Sequence, residues 1–358
     1  MKLFYRRKNM IPLIENENLF LNAKVIFDTR EDDEERSNWI SERCKSIGGS
    51  DIAKIAGFSK YGSALTVFNE KLGLSEKFKG NIHTVFGTRM EPVIKEWLPQ
   101  DFKDVTGISM KIYDYPYMML HKDYAYFSGN IDGLIELEES WIYSENRDTG
   151  EAKVIEAGEL IGAEIKTGSE FLKKMWSGEE IPDEYYCQCQ WYMGITGLKY
   201  FLIIYLLGKE VRWKVIPRND EDIYFLFNTA EDFWNNHILK KIPPAPTGLP
   251  CETKEIVNKQ SFEDEIEQNV SEGRLAEYKA IDEQIKTLEK EKEKIKQLIY
   301  LDLGDSKKGS DGLYRISRWT VQKDNIDAVL LREKYPLTYA EVLKGQSSYV
   351  NLKISLCK

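Results

Sequence analysis

Residues 162–169, GAEIKTGS, set a carboxylate and an ammonium two positions apart inside an apolar stretch. Side chains alternate between faces along a strand. Glu164 and Lys166 therefore point one way, and Ala163 and Ile165 point the other, into the core. Opposite charges on one face of an apolar strand are expensive to bury without a partner or a task. Phosphodiester hydrolysis is such a task. Glu164 can bind Mg²⁺ through oxygen, and Lys166 can position or deprotonate the attacking water and balance developing charge. The same spacing recurs at Glu151/Lys153, Glu252/Lys254 and Glu277/Lys279. In a chain this charged, an isolated E-x-K is usually a solvated salt pair. Among these copies, the one at 164 sits in an apolar stretch of strand period.

Other residues extend the pattern. In GNIDGLIEL, residues 129–137, Asp132 stands before Gly133 at a bend between two strand-like pieces. A first metal-binding aspartate would fit there, as would an ordinary Asp-Gly turn. In FGTRMEPVIKEW, residues 86–97, Glu91 lies at the start of a helix, as a third carboxylate or as a charge stabilising the helix N-terminus. In EYYCQCQWYMGITG, residues 184–197, Gln188 and Gln190 sit on a helix among aromatic residues. Their amides can orient water or contact DNA, or simply be solvated. Each signal is weak alone. Taken in order they give three carboxylates and one lysine, the set a one- or two-magnesium phosphodiesterase site needs.

These residues need a scaffold. Residues 38–57 read as helix, glycine-containing turn and helix, with Ser50 a plausible N-cap. A helix over 64–73 ends at Gly73. A third, over 87–98, starts near Met90 or Glu91, because Pro92 belongs in a first turn. Residues 110–120 and 124–137 read as strands, 140–158 as hairpin arms around SENRDTG (144–150), and Leu160 to Thr167 as a strand. Helix 183–196 precedes a hairpin, 200–207 and 211–216, turning at Gly208-Lys209. An amphipathic helix over 220–240 places Ile223, Phe227, Ala230 and Trp234 on one side. The acidic stretch Asp28 to Glu35 reads as solvated. Pro243 to Gly248 is a stop signal and a boundary. Beyond it, 274–303 is rich in Lys and Glu. There Ile281, Ile285, Leu288, Ile295 and Ile299 step by four and three if Lys292 fills one core slot. This is a coiled-coil-like helix, packed on a partner helix or subunit, or lying on its own domain. Residues 309–358 hold short strand-like pieces and a helix near 324–334.

The 358 residues, 42% of them hydrophobic, suffice for two domains or one large domain with an appendage. The net charge of −9 argues, taken alone, against nucleic acid. It is a whole-chain sum, however, and leaves room for a local basic groove. Five cysteines, an odd number with no CxxC pair, speak against zinc sites and a disulfide framework, and point to reduced thiols in a cytoplasm. MKLFYRRKNMIPL lacks the apolar run of a signal peptide. The longest apolar run, Tyr200 to Leu207, is too short to span a membrane. Three scattered histidines make histidine-based metal or triad chemistry a poor prospect.

At the site residues named above, the chain resembles the PD-(D/E)xK nuclease superfamily, and more narrowly the YqaJ-type viral recombinases, relatives of lambda exonuclease. Residues 38–73 are similar to that family's N-terminal signature: a Trp, an Arg, then I-G-G-S-D-I-A and a G-x-S-x-Y turn. Residues 181–208, IPDEYYCQCQWYMGITGLKYFLIIYLLG, are similar to the helix and strand that follow the family's catalytic strand. The resemblance covers roughly residues 38–248 and is weaker over 270–358.

It implies an α/β core with a central mixed sheet flanked by helices, in residues 1–250 (35–248 best matched). A helical, coiled-coil-like region and a small C-terminal element would follow in 251–358. Glu91, Asp132 and Glu164 would be metal ligands, joined by the backbone carbonyl of Ile165. Lys166 would be the catalytic lysine and Gln188 the active-site glutamine, with Gln190 the nearest alternative. Arg43 and Ser50 would hold the DNA 5′-phosphate, and a Gly-Gly-Ser at a helix N-terminus offers amides to an anion; otherwise Arg43 makes a surface salt bridge. Two departures stand out. Gly129-Asn130-Ile131-Asp132-Gly133 replaces S-P-D-G, and the gap from Asp132 to Glu164 is long, which leaves Glu151 as an alternative to Glu164. The implied activity is Mg²⁺-dependent (or Mn²⁺-dependent) 5′-to-3′ digestion of one strand of linear double-stranded DNA, for recombination by strand annealing. A single-strand annealing protein is the expected partner. The expected setting is a bacterial cytoplasm, or a host cytoplasm for a phage protein. Relatives form rings around DNA, so a homo-oligomer is an open expectation. The rivals are an endonuclease or a single-strand or branched-DNA nuclease of the same fold, and a catalytically silent DNA-binding or protein-interaction module.

Overall fold

The computed structural model describes residues 11–29, 42–75, 80–144, 152–176, 181–258, 260, 269–322 and 326–343. The remainder of SENRDTG after Ser144, Glu151, most of the acidic stretch, and the Trp39 end of the N-terminal signature lie outside them.

Strand β9 (Tyr200–Leu207) is buried from Phe201 onward, as a strand covered on both faces must be. It lies within a five-stranded sheet of order β10-β9-β8-β5-β2, built from β2 (Met110–Tyr113), β5 (Gly133–Leu137), β8 (Leu160–Gly168), β9 and β10 (Glu210–Pro217). Only β8 and β9 are parallel, so the sheet is mixed. Parallel neighbours need a crossover, and the helix Asp183–Thr196 supplies it. A second sheet joins β1 (Ala23–Asp28), β3 (Tyr117–His121) and β4 (Ser128–Gly129). Hairpin arms β6 (Trp141–Ser144) and β7 (Ala152–Ile155) pair antiparallel.

Strand alternation divides the core in two. Phe201, Ile203, Tyr205 and Leu207 share one cluster with Ile52 and Ala53 of α1 (Gly49–Ile55) and Val67 and Phe68 of α2 (Ala64–Lys71). The same cluster takes Trp191 of α4 (the helix Asp183–Thr196), and Ile223 and Leu226 of α5 (Asp220–Phe233). Leu202, Ile204 and Leu206 face the other cluster with Ile161, Ala163 and Ile94, Leu98 and Phe102 of α3 (Ile82–Thr106).

Helix α3 corrects the sequence reading. It begins at Ile82 rather than near Met90, and carries Pro92 and Pro99 in its interior. Asn81 caps it by accepting from the His83 and Thr84 amides. Each interior proline costs about 3 kcal/mol. Burial of Ile94, Leu98 and Phe102, at about 1.5–3 kcal/mol each, and a cap worth about 1 kcal/mol, offset that. Ser50 is corrected too. The N-cap of α1 is Gly48, and Asp51 reaches back to accept the Gly48 amide at 3.0 Å. A carboxylate three residues into the helix thereby satisfies the N-cap amide, the reciprocal half of a capping box, with no N-cap side chain to complete it.

By contacts the chain divides into two units, residues 1–260 and 261–358. Helix α6 (Pro250–Asn258) belongs to the first, where buried Glu252 accepts from Ser63, the N-cap of α2, and from the amides of Thr247, Gly248 and Leu249. The second holds α7 (Arg274–Leu303), the hairpin β11 (Lys308–Ser310) and β12 (Arg315–Ser317), and the short helices α8 (Ala328–Lys334) and α9 (Pro336–Val342). Ile281, Ile285, Leu288 and Ile295 of α7 are exposed.

Candidate active site

The parallel register sets Glu164 beside Ile203 and Lys166 beside Tyr205, so both charges point to the face covered by α4. Glu164 is 3% exposed. Its Oε1 accepts from Lys166 Nζ at 2.6 Å and from Gln188 Nε2 at 2.7 Å. Its Oε2 is buried with no hydrogen-bond partner. Lys166 also donates to Gln188 Oε1 at 2.9 Å, and its Nζ lies 5.0 Å from the centre of the Tyr185 ring. Tyr185 in turn stacks on Trp176.

Asp132 reaches β8 from the corner before β5. Its Oδ2 accepts the Ile165 amide at 2.6 Å, and its own amide donates to the Ala163 carbonyl at 3.2 Å. The following residue must be glycine, since a Cβ at Gly133 would stand 2.8 Å from the Tyr113 carbonyl oxygen. Glu91 comes from α3, its Oε1 held by Lys95 Nζ at 2.6 Å. Lys95 is buried and also donates to Asp114 Oδ1 at 2.9 Å.

Crowding of carboxylates in a dry place shows in their proton affinities. Burial, then the charge of Glu164, pushes the Asp132 carboxyl up to about 7, against the pull of Lys166 and the Ile165 amide. Burial raises Glu164 despite Lys166, and raises Glu91, with Asp132 adding to it and Lys95 opposing. Burial alone would lower the proton affinity of Lys166. Glu164 and Asp132 more than compensate, and its ammonium is held above the ordinary lysine range.

Three candidate ligands and the lysine thus converge, with Gln188 beside them. Gln190 does not join them. Its Nε2 donates to the Pro217 carbonyl at 2.8 Å and its Oε1 accepts the Asn219 amide at 3.0 Å, which ties α4 to the start of α5. Arg43 and Ser50 meet at a separate place, where Arg43 Nη2 donates to Ser50 Oγ at 2.9 Å. Beside them Lys71 bonds the Arg43 carbonyl at 2.8 Å and Asp51 Oδ2 at 2.6 Å. Gly49 joins the two places: a Cβ there would come within 2.6 Å of the Tyr192 ring, whose hydroxyl takes a bond from Gln188 Nε2 at 3.1 Å. The sequence reading missed Lys95, Asp114, Asp51, Lys71, Tyr185 and Tyr192. Of these, Lys95 alone left a signal, its i,i+4 spacing from Glu91.

Among the described residues no group of three or more His, Cys, Asp or Glu side chains is gathered tightly enough to hold a metal ion as it stands. The donor set nonetheless fits a divalent cation. It consists of hard oxygens, it is overcrowded with negative charge, and it includes a buried carboxylate oxygen with no donor.

Residues 38–199 match the model of the YqaJ-like viral recombinase domain. The protein YqaJ of Bacillus subtilis (strain 168), described as uncharacterized, is 27% identical over 318 residues, which span 86% of this chain and 91% of its own. Among solved structures, LHK-Exo in complex with dAMP is similar over 62% of this chain and 99% of its own, at 16% identity and a TM-score of 0.42. A phage related exonuclease from Haemophilus somnus 129PT is similar over 55% of this chain and 96% of its own, at 14% identity and a TM-score of 0.33. The family match takes in Arg43, Ser50, Glu91, Asp132, Glu164, Lys166 and Gln188, and the mixed sheet flanked by helices carries them. Residues 38–199 of this chain are thus similar to the YqaJ-like viral recombinase domain, and the similarity to YqaJ of Bacillus subtilis extends over most of both chains.

Proposed function

We propose that this nuclease-fold protein is a metal-dependent exonuclease that digests one strand of linear double-stranded DNA from 5′ to 3′, for recombination by strand annealing. One observation carries the metal-dependent part of the reading: the buried, donorless Oε2 of Glu164 beside an Asp132 carboxyl raised to about 7. A group that protein hydrogen bonds leave unmatched at that depth calls for a cation. PD-(D/E)xK-like folds often use divalent metals. Here Glu91, Asp132, Glu164 and the Ile165 carbonyl would hold Mg²⁺, or Mn²⁺. A bound divalent ion polarises the scissile phosphate and lowers the pKa of water.

The remaining work falls to the chain. Glu164 and Asp132 beside it favour the charged form of Lys166, which suits a donor that steadies the attacking water and the phosphate oxygens. Gln188, bonded to both Glu164 and Lys166, fixes the direction of that ammonium. Arg43 and Ser50 take the 5′-phosphate of the DNA end. The nuclease lies in the first unit, residues 1–260, which includes the helix Pro250–Asn258. The partner is a single-strand annealing protein and the setting a cytoplasm; no helix among the described residues is long and apolar enough to cross a membrane.

Digestion of linear duplexes with 5′-phosphate or 5′-hydroxyl ends, beside closed circular DNA, in Mg²⁺ and in EDTA, tests this. The expected result is Mg²⁺-dependent nucleotide release from linear DNA, faster from the phosphorylated end. Cutting of the circle would replace the exonuclease with an endonuclease. Binding without cleavage by folded protein would leave a silent DNA-binding module.

A further inference from the structure

Lys95 is 5% exposed, a depth lysine rarely reaches unless paired, and the proposed chemistry gives it no task. Its ammonium lies 2.6 Å from Glu91 Oε1 and 2.9 Å from Asp114 Oδ1. Asp114 follows β2 and is pinned by its backbone: its amide donates to the Pro12 carbonyl, and its carbonyl accepts from the Ile14 amide. The alkyl stem of Lys95 runs along the corner that carries Asp132, since a Cβ at Gly133 would stand 3.8 Å from Lys95 Cε. One side chain thus touches Glu91 directly and lines the backbone next to Asp132. A helical i,i+4 pair alone would leave Glu91 free to swing into solvent, because such pairs are weak. Asp114 is what converts the pair into a fixed clamp.

We propose that Lys95, anchored by Asp114, is a positioning residue that holds the Glu91 carboxylate toward Asp132 and Glu164. The donor set is then assembled before a divalent cation arrives. Groups that orient a ligand in this way typically change metal affinity by about 10–100-fold. The proposal rests on the metal-dependent reading above.

The test is Mn²⁺ binding by the full-length protein without DNA, followed by the electron-spin-resonance signal of free Mn²⁺. Wild type is compared with Lys95→Met, Lys95→Arg, Glu91→Gln and the double variant Lys95→Met/Glu91→Gln. The expected result is about tenfold weaker binding in Lys95→Met, partial recovery in Lys95→Arg, and a double variant no weaker than Glu91→Gln alone, since Lys95 acts through Glu91. Unchanged binding in Lys95→Met would overturn the proposal, as would tighter binding, which would make Lys95 a competitor of the cation. Losses that multiply in the double variant would overturn it too. Should Lys95→Met fail to fold, Asp114→Asn leaves the Lys95–Glu91 pair in place. It should weaken Mn²⁺ binding in the same direction by less, and wild-type affinity in folded Asp114→Asn would contradict the anchor. No Mn²⁺ uptake by wild type would remove the metal-dependent reading and this proposal together. Uptake by wild type that the variants leave unchanged removes the positioning role alone.

Discussion

Two clusters of buried charge sit in the first unit, and their carboxylates are shifted in opposite directions. Around Asp51, Lys71 and Arg43 both favour the charged carboxylate. Burial opposes ionisation, yet Lys71 and Arg43 hold the Asp51 carboxyl below its ordinary range. Around Glu164, carboxylates outnumber the ammonium groups that reach them, and Glu91, Asp132 and Glu164 are all raised. The first cluster is stabilised by its charges. The second is strained by its charges, as suits a place for a cation. Neither property follows from burial alone. The charges that face each carboxylate distinguish them.

The largest effect should come from breaking the satisfied cluster. Asp51→Ala leaves Lys71 buried without its carboxylate, and a broken buried ion pair costs about 3–5 kcal/mol. Calorimetry should find a melting temperature many degrees lower, and an unchanged one would mean that the Lys71–Asp51 pair contributes nothing.

The strained cluster should respond with the opposite sign. Asp132 holds its proton more tightly in the folded chain than in the unfolded one, so its contribution to stability falls as pH rises from 3.8 through about 7. Asp51 is depressed, so its contribution is present above 3.8 and is lost as pH falls below that. In EDTA the melting temperature should therefore peak in mild acid and decline towards pH 8. Asp132→Asn should flatten that decline and stabilise the metal-free protein at pH 8 by on the order of 2 kcal/mol, while abolishing cleavage. A decline of equal depth in Asp132→Asn would place the strain elsewhere.

A smaller contrast separates the two glutamines. Gln190→Ala leaves the Asn219 amide and Pro217 carbonyl without their partner and should cost about 1–3 kcal/mol, with normal cleavage per folded molecule. Gln188→Ala takes a partner from Glu164, Lys166 and Tyr192, so it should cost a comparable amount and also lower the cleavage rate per folded molecule by about 10–100-fold. Urea unfolding and single-turnover cleavage of the pair would show whether the rate effect belongs to Gln188 alone.

Much of this was legible in the residue order. β8, β9, α4 and the β10 turn follow from period and from Gly208, and the pattern from Glu91 through Gln188 gathers in one place. Helix α3 was misread because a proline rule is local, whereas the face Ile94–Leu98–Phe102 acts through the sheet. Ser50 was misread as the cap because the helix starts earlier, at Gly49, which puts Ser50 inside its first turn. Lys95, Asp114 and Tyr192 were missed because long-range pairing decides their roles. Nothing near Asp114 in the sequence announces that Lys95, nineteen positions earlier, reaches it. Gln188 and Gln190 look alike in sequence and are separated only by which side of α4 each occupies.

The most direct test of the central claim is single-turnover digestion of a 5′-phosphorylated linear duplex in Mg²⁺ by wild type and by Lys166→Ala, with both proteins verified as folded. The account predicts nucleotide release by the wild type, its abolition by EDTA, and a loss of about 10²–10³-fold or more in Lys166→Ala. Cleavage by Lys166→Ala at the wild-type rate would contradict a catalytic site at Glu164 and Lys166.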